Sequence, residues 1–172
     1  EAERRIDEAF AATPFLETVV GPGKVPGKAV SFLKHAAGTK GGWGGPDPSH
    51  SSYETVQTDA AGNVLDGSRG TYTFTTPEPP VEGFWSVTVY DTARGGSLHP
   101  NEQDRYHIND TTAVRNDDGT VTFTFKTSCG DGDRNCLEVP AGPFDLAIRY
   151  YLPAKEIQTG AWTTPRPRLE ED

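Results

Sequence analysis

From Tyr53 onward the sequence alternates with a period of two, apolar then polar, through a series of short runs. Tyr72 and Phe74 alternate with Thr71, Thr73 and Thr75; Trp85, Val87 and Val89 with Ser86 and Thr88. Val121, Phe123 and Phe125 alternate with Thr120, Thr122 and Thr124; Phe144, Leu146, Ile148 and Tyr150 with Asp145, Ala147 and Arg149. Successive side chains of a strand point to opposite faces, so each run carries one face for a core and one for water. A parallel sheet covered on both sides would need near-continuous apolar runs, so this pattern predicts antiparallel sheets packed through one side. Asp59-Ala-Ala-Gly-Asn63, Asn116-Asp-Asp-Gly119 and Pro140-Ala-Gly-Pro143 supply turn chemistry between the runs. The expected fold is mainly β, antiparallel strands forming a sandwich or a jelly roll, with a short N-terminal helical segment.

The helical period is confined to the start of the chain. Ala2, Ile6, Ala9 and Phe10 recur at three- and four-residue spacing, and a second helical stretch is expected from about Gly27 to Ala37 beyond Pro14 and Gly21-Pro-Gly23. A Gly-, Pro- and Ser-rich loop follows around Trp43, read as a plug over the core edge, with a stacking platform for a ligand as the alternative. This gives three zones: a helical lead-in and loop over 1–52 packed on the domain, a β-sandwich over 53–167, and a charged tail over 168–172. The 172 residues suffice for one core.

The 16 basic and 25 acidic side chains leave a net charge of −9, which argues against nucleic acid or an anionic membrane as partner. No apolar run approaches the ~20 residues of a transmembrane span. Cys129 and Cys136 have six residues between them in a glycine-rich polar stretch, so a local disulfide is expected, worth about 2–3 kcal/mol. The chain begins at Glu1 and contains no Met, which fits a cleaved signal peptide and equally a trimmed boundary. Together these favour a secreted or periplasmic protein, with two reduced thiols in the cytoplasm as the alternative.

A set of motifs then stands in a definite order. Gly62-Asn-Val-Leu-Asp-Gly67, Tyr72-Thr-Phe74 and Pro79-Pro-Val-Glu-Gly-Phe-Trp-Ser-Val-Thr-Val-Tyr-Asp91 are followed by Asn101 with Arg105-Tyr106, by Asn116-Asp-Asp-Gly119, and by Ala141-Gly-Pro-Phe144 through Arg149-Tyr150, Pro153 and Trp162. Over roughly residues 53–167 this series resembles the bacterial domain of unknown function 1214. The resemblance implies a jelly-roll β-sandwich, usually the C-terminal half of a larger bacterial protein, with no established reaction. Where that family commonly has Asn-Trp-Leu-Pro, this chain has Asn135-Cys-Leu-Glu138. A ligand contact made by that tryptophan elsewhere does not transfer.

Three constellations carry possible chemistry. Trp85, Tyr90, Arg105, Tyr106, Arg149 and Tyr151 come from different strands and would line a concave sheet face for a carbohydrate or other polar polymer, rings on sugar faces and guanidinium on carboxylate. The competing reading packs Trp85 and Tyr106 into the core and pairs Arg149 with Asp145 or a neighbouring Glu. Around residues 99–107, His99, Asp104, Arg105 and His107 would serve a hydrolase or isomerase cleft; His99 and His107 with Asp91 or Asp104 would alternatively hold a transition metal. Asp131, Asp133 and Asn135 reproduce the first alternating oxygen ligands of a calcium loop, although Cys136 stands where the loop's glycine belongs and Gly142 where its glutamate belongs. Asp66-Gly-Ser-Arg-Gly70 lacks the spacing of a nucleophile elbow and reads as a turn. The leading expectation is an exported binding or assembly module without a cofactor other than a possible calcium ion. Besides the hydrolase or isomerase, a homo-oligomer or fibre templated by an exposed edge strand at Tyr72 or Val121 is a further alternative.

Overall fold

The computed structural model describes residues 1–12, 33, 36–40 and 48–170. Helix α1 (Ala2–Ala12) is amphipathic, and Arg4 bonds Glu1 and Glu8 one turn to either side. Of the expected second helix, Leu33 and residues 36–40 are helical, Ala37 is fully buried, and Lys40 pairs with Asp7 of α1. The remainder of that helix and Trp43 lie outside the described residues.

The four alternating runs form strands where expected, β2 (Tyr72–Thr76), β3 (Trp85–Asp91), β6 (Val121–Lys126) and β8 (Phe144–Tyr151), and a further strand, β1 (Ser51–Val56), starts within the expected lead-in loop. Four shorter strands join them: β4 (Ser97–Leu98), β5 (His107–Asn109), β7 (Cys136–Glu138) and β9 (Arg168–Leu169). One sheet runs β1-β8-β3, with β4 and β5 sharing the far edge of β3; the other runs β7-β6-β2-β9. The sheets pack face to face through the apolar halves of the alternating runs. Phe74 stacks on Phe123 at 4.8 Å within one sheet, while Trp85 meets Phe123 edge-on at 5.8 Å and Tyr72 meets Phe144 at 5.8 Å across the gap. Phe123, Phe125, Phe144 and Tyr72 are essentially inaccessible to water, each burial contributing about 1.5–3 kcal/mol.

Three details depart from the sequence reading. Strand β7 runs parallel to β6, pairing Thr124 with Cys136 and Lys126 with Glu138, so the second sheet is mixed rather than wholly antiparallel. The nine residues between them double back along β6, helped by Asn135 at φ 47°, whose amide donates to the Thr122 carbonyl. The expected tail is structured over its described residues: Arg168 and Leu169 pair with β2, and Pro167 before them is fully buried, because β2 otherwise presents an open edge. The expected fibre-templating edges are covered in part: β9 pairs with β2 at Tyr72 and Thr73, and β7 pairs with β6 from Thr124 to Lys126 but not at Val121.

The turn readings stand. Gly62 and Gly119 take positive φ of 85° and 81°. Asp59 accepts from the backbone N–H groups of Ala61 and Asn63, and Asp118 from that of Thr120. Gly67–Arg69 is a single 3-10 turn capped by Asp66, which also accepts from the Ser68 hydroxyl. The closing segment docks through Trp162, edge-on to Tyr150 at 5.6 Å, and through a buried Tyr150–Thr164 hydroxyl pair that burial keeps protonated.

Candidate functional site

Strand pairing sets which polar side chains meet on the outside of the β1-β8-β3 sheet. Tyr53 lies opposite Arg149, which lies opposite Ser86, which lies opposite Asn109. The next outward row is Thr55, Ala147, Thr88 and His107, and the one beyond pairs Asp145 with Tyr90 and Tyr90 with Leu98. Arg149 reaches diagonally across the rows. Its guanidinium donates to the Thr88 hydroxyl at 3.1 Å and to the Tyr90 hydroxyl at 2.8 Å, with its carbon 5.7 Å from the centre of the Tyr90 ring. At the end of the same face the exposed Phe84 stacks on Tyr151 at 4.1 Å, with the rings 16° from parallel. Gly83 permits that approach, because a Cβ there would lie 2.7 Å from the Tyr151 carbonyl oxygen. Partial burial and the neighbouring Tyr53 hold the Tyr151 phenol above its usual pKa, with Arg149 opposing them.

Among the described residues no carboxylate forms an ion pair with Arg149. Asp145, the partner the competing reading assigned to it, accepts from Gln57 instead at 3.0 Å. A half-buried guanidinium whose acceptors are two neutral hydroxyls keeps its charge and several N–H groups for something else.

The other predicted face residues are elsewhere. Trp85 belongs to the opposite, inward parity of β3, is 2% exposed, and serves the core; its place in the predicted ligand face is corrected accordingly. Tyr106 is a loop residue whose hydroxyl donates to Asp104, raising the phenol pKa. That loop is organised by Asn101, which accepts from the Arg105 N–H at 2.9 Å and donates to the carbonyls of His99 and Arg105, while Asp104 sits at φ 49°. Asn101 stood out in the sequence as a motif residue, and its task is local architecture.

The four enzyme candidates are separated. His99 Nδ1 lies 3.7 Å from the buried Asp91 carboxylate, whereas Asp104 faces Tyr106. Arg105 and His107 line a cleft of about 410 Å³ between β5 and the disulfide loop, together with Ile108, Val114, Asp131 and Arg134. No hydrogen bond joins any two of the four among the described residues, and His99 and His107 do not gather with a carboxylate into a metal-binding group. The reason is parity: His107 pairs with the outward Thr88, while His99 sits beside the strand end at Asp91.

The cysteines form the expected disulfide, Cys129–Cys136. The expected calcium ligands do not form a ring. Asn135 Oδ1 accepts from the Val114 N–H at 2.7 Å, and its amide donates to the Val114 and Thr122 carbonyls. Asp133 pairs with Lys126 at 2.7 Å and accepts from the Gly130 N–H, contacts that hold its carboxyl below the usual range; Asp131 lines the cleft with no ion pair among the described residues. The one three-donor group among the described residues is Cys129, Asp133 and Cys136, and its two sulfurs are bonded to each other.

These features define a mainly β, two-sheet domain with a short N-terminal helix. The chain belongs to the family described as Protein of unknown function (DUF1214), which matches residues 50–155. It is similar to the crystal structure of the VPA0106 protein from Vibrio parahaemolyticus, with 29% identity and a TM-score of 0.79 over 98% of this chain and 42% of that one. The chain thus spans less than half of that longer protein. A structure of an uncharacterized protein from Burkholderia cenocepacia matches at 12% identity and a TM-score of 0.41, covering 97% of this chain and 48% of that one. No curated protein matches the sequence.

Proposed function

We propose that the domain is a binding module of an exported protein, and that it takes a carboxylate-bearing carbohydrate or similar polar polymer on the outer face of the β1-β8-β3 sheet. The observation that carries this reading is Arg149, held by Thr88 and Tyr90 without a carboxylate partner among the described residues and flanked by aromatic rings. Aromatic planes accept the C–H faces of sugars, and a guanidinium fork matches a carboxylate. The net charge of −9 sets a limit on the ligand's charge density, so carboxylates set a sugar ring apart suit the face better than the closely set charges of a polyphosphate. The interleaved order β1-β8-β3 supports the finer assignment of a jelly-roll topology, an architecture that presents such faces. The disulfide supports export, and among the described residues no helix is long and apolar enough to cross a membrane.

Isothermal titration with polygalacturonate and with neutral dextran tests the face. Polygalacturonate should bind, and Arg149→Ala should weaken it at least about tenfold, the loss of one charge-assisted bidentate contact. Equal binding by wild type and variant would overturn the reading. For export, mass spectrometry of protein isolated without reductant should find the Cys129–Cys136 bond intact.

A further inference from the structure

The cleft beside the disulfide loop borders the outer sheet face at His107, which pairs with Thr88, but neither Arg149 nor Tyr90 lines it, and its chemistry differs. Its volume of about 410 Å³ is that of a small-molecule site. One wall comes from the segment leading into β5, with Arg105 and His107; the other comes from the disulfide loop, with Arg134; Ile108 and Val114 supply apolar surface. Neither Arg105 nor Arg134 forms an ion pair among the described residues, whereas Arg69, Arg115 and Arg166 each pair with a carboxylate. Of the two acids on the cleft, Asp133 is already matched by Lys126, so two guanidinium groups face the single charge of Asp131.

The walls are also tied together. Gln103 donates across to the Cys129 carbonyl at 3.0 Å, Asn135 exchanges two 2.7 Å hydrogen bonds with the Val114 backbone, and the disulfide closes the loop that carries Arg134. A cleft fixed this way before binding loses less conformational freedom when it is filled.

We propose that this cleft is a second binding site, for a phosphate monoester with a small apolar body. Two forks projecting from different segments suit the divergent oxygens of a tetrahedral anion better than the coplanar pair of a carboxylate, and the Ile108–Val114 surface accepts the organic part. The geometry assigns no reaction to it. Arg105 and Arg134 are the anion-binding residues; Asn135 and Gln103 position the walls.

Titration with inorganic phosphate and with phenyl phosphate, followed by amide chemical shifts, tests the assignment. Phenyl phosphate should bind more tightly than inorganic phosphate and shift residues 105–114 and 131–135. Arg105→Gln and Arg134→Gln should each weaken it about tenfold, as expected for loss of one charge-assisted pair. Arg134→Lys, which keeps the charge and loses the fork, should recover only part of the affinity. Arg94→Gln, at an exposed arginine that does not line the cleft, should leave it unchanged. All the substituted arginines of the cleft are exposed, so circular dichroism should report an unaltered fold. Binding that survives the double Arg105→Gln/Arg134→Gln variant, an equal loss in Arg94→Gln, or tighter binding of benzoate than of phenyl phosphate would each overturn the proposal.

Discussion

The two outer faces of this sandwich are built by the same alternation and carry opposite messages. Outside β2 and β6 the facing pairs are Thr73 with Thr124 and Thr75 with Thr122, the latter two sharing a hydroxyl hydrogen bond of 2.8 Å that Asn116 extends. Thr75 and Thr122 satisfy each other, the Thr73 hydroxyl donates to Glu170, and β-branched threonine suits a solvated strand. Outside β3 and β8 the corresponding positions hold Thr88, Tyr90, Asp145, Arg149 and Tyr151; Asp145 accepts from Gln57, and Arg149 has no ion pair among the described residues. A face that needs only to be wet is made of threonine. A guanidinium among phenols has a desolvation cost that solvation alone does not explain, and this contrast is the basis for placing a ligand there.

The largest effect should come from the layer the faces share. Phe123→Ala removes a ring that touches Phe74 and Trp85, and should cost about 3–5 kcal/mol in urea unfolding, abolishing the distinction between the faces by loosening both sheets. Opening the Cys129–Cys136 loop by the double serine substitution should cost about 2–3 kcal/mol while leaving polygalacturonate binding at Arg149 unchanged. Loss of that binding would mean the loop and the face act as one site. A matched pair sharpens the contrast directly: Thr88→Val deletes an acceptor of Arg149, and Thr75→Val deletes a hydroxyl of the threonine face. Each should change stability by about 0.5–1.5 kcal/mol, but only Thr88→Val should reduce polymer affinity in titration.

The smallest effect is one of pH and belongs to neither face. Asp59, Asp66, Asp118 and Asp133 have lowered carboxyl pKa values, and all four lie in loops. For Asp59 burial pushes upward, and the hydrogen bonds from Asn63 and Ala61 outweigh it; for Asp133 the Lys126 ammonium dominates. A carboxyl that binds protons more weakly when folded stabilises above its unfolded pKa of about 3.9 and loses that contribution as pH falls toward the folded value. The thermal midpoint should therefore be level from about pH 5 to 7 and decline below about pH 4. A decline already complete at pH 5 would show that other groups control it.

Much of the fold could be read from alternation because side-chain parity along a strand is local. Phe74, Val87, Phe123 and Leu146 are inward for the same reason that Thr73, Thr88, Thr122 and Arg149 are outward. The same parity, applied strictly, would have removed Trp85 from the ligand face, since it shares the parity of Val87 and Val89 and is opposite to Tyr90. Tyr53 and Phe84 were missed as neighbours of Arg149 and Tyr151 because nothing local marks which strands pair. Asn135 was misread because a D-x-D-x-N spacing does not disclose that the backbone of Val114, 21 residues earlier, competes for its amide.

The sequence by itself determined which side chains enter the core, where the chain turns, and that two nearby cysteines can meet, since each depends on a few adjacent residues. Only the tertiary structure decided that β7 runs parallel to β6, that Arg168 and Leu169 close an edge, and that Arg149 meets hydroxyls 59 and 61 residues away. Those outcomes rest on register and strand order, which are set by burial summed over both sheets and so leave no mark at any single position.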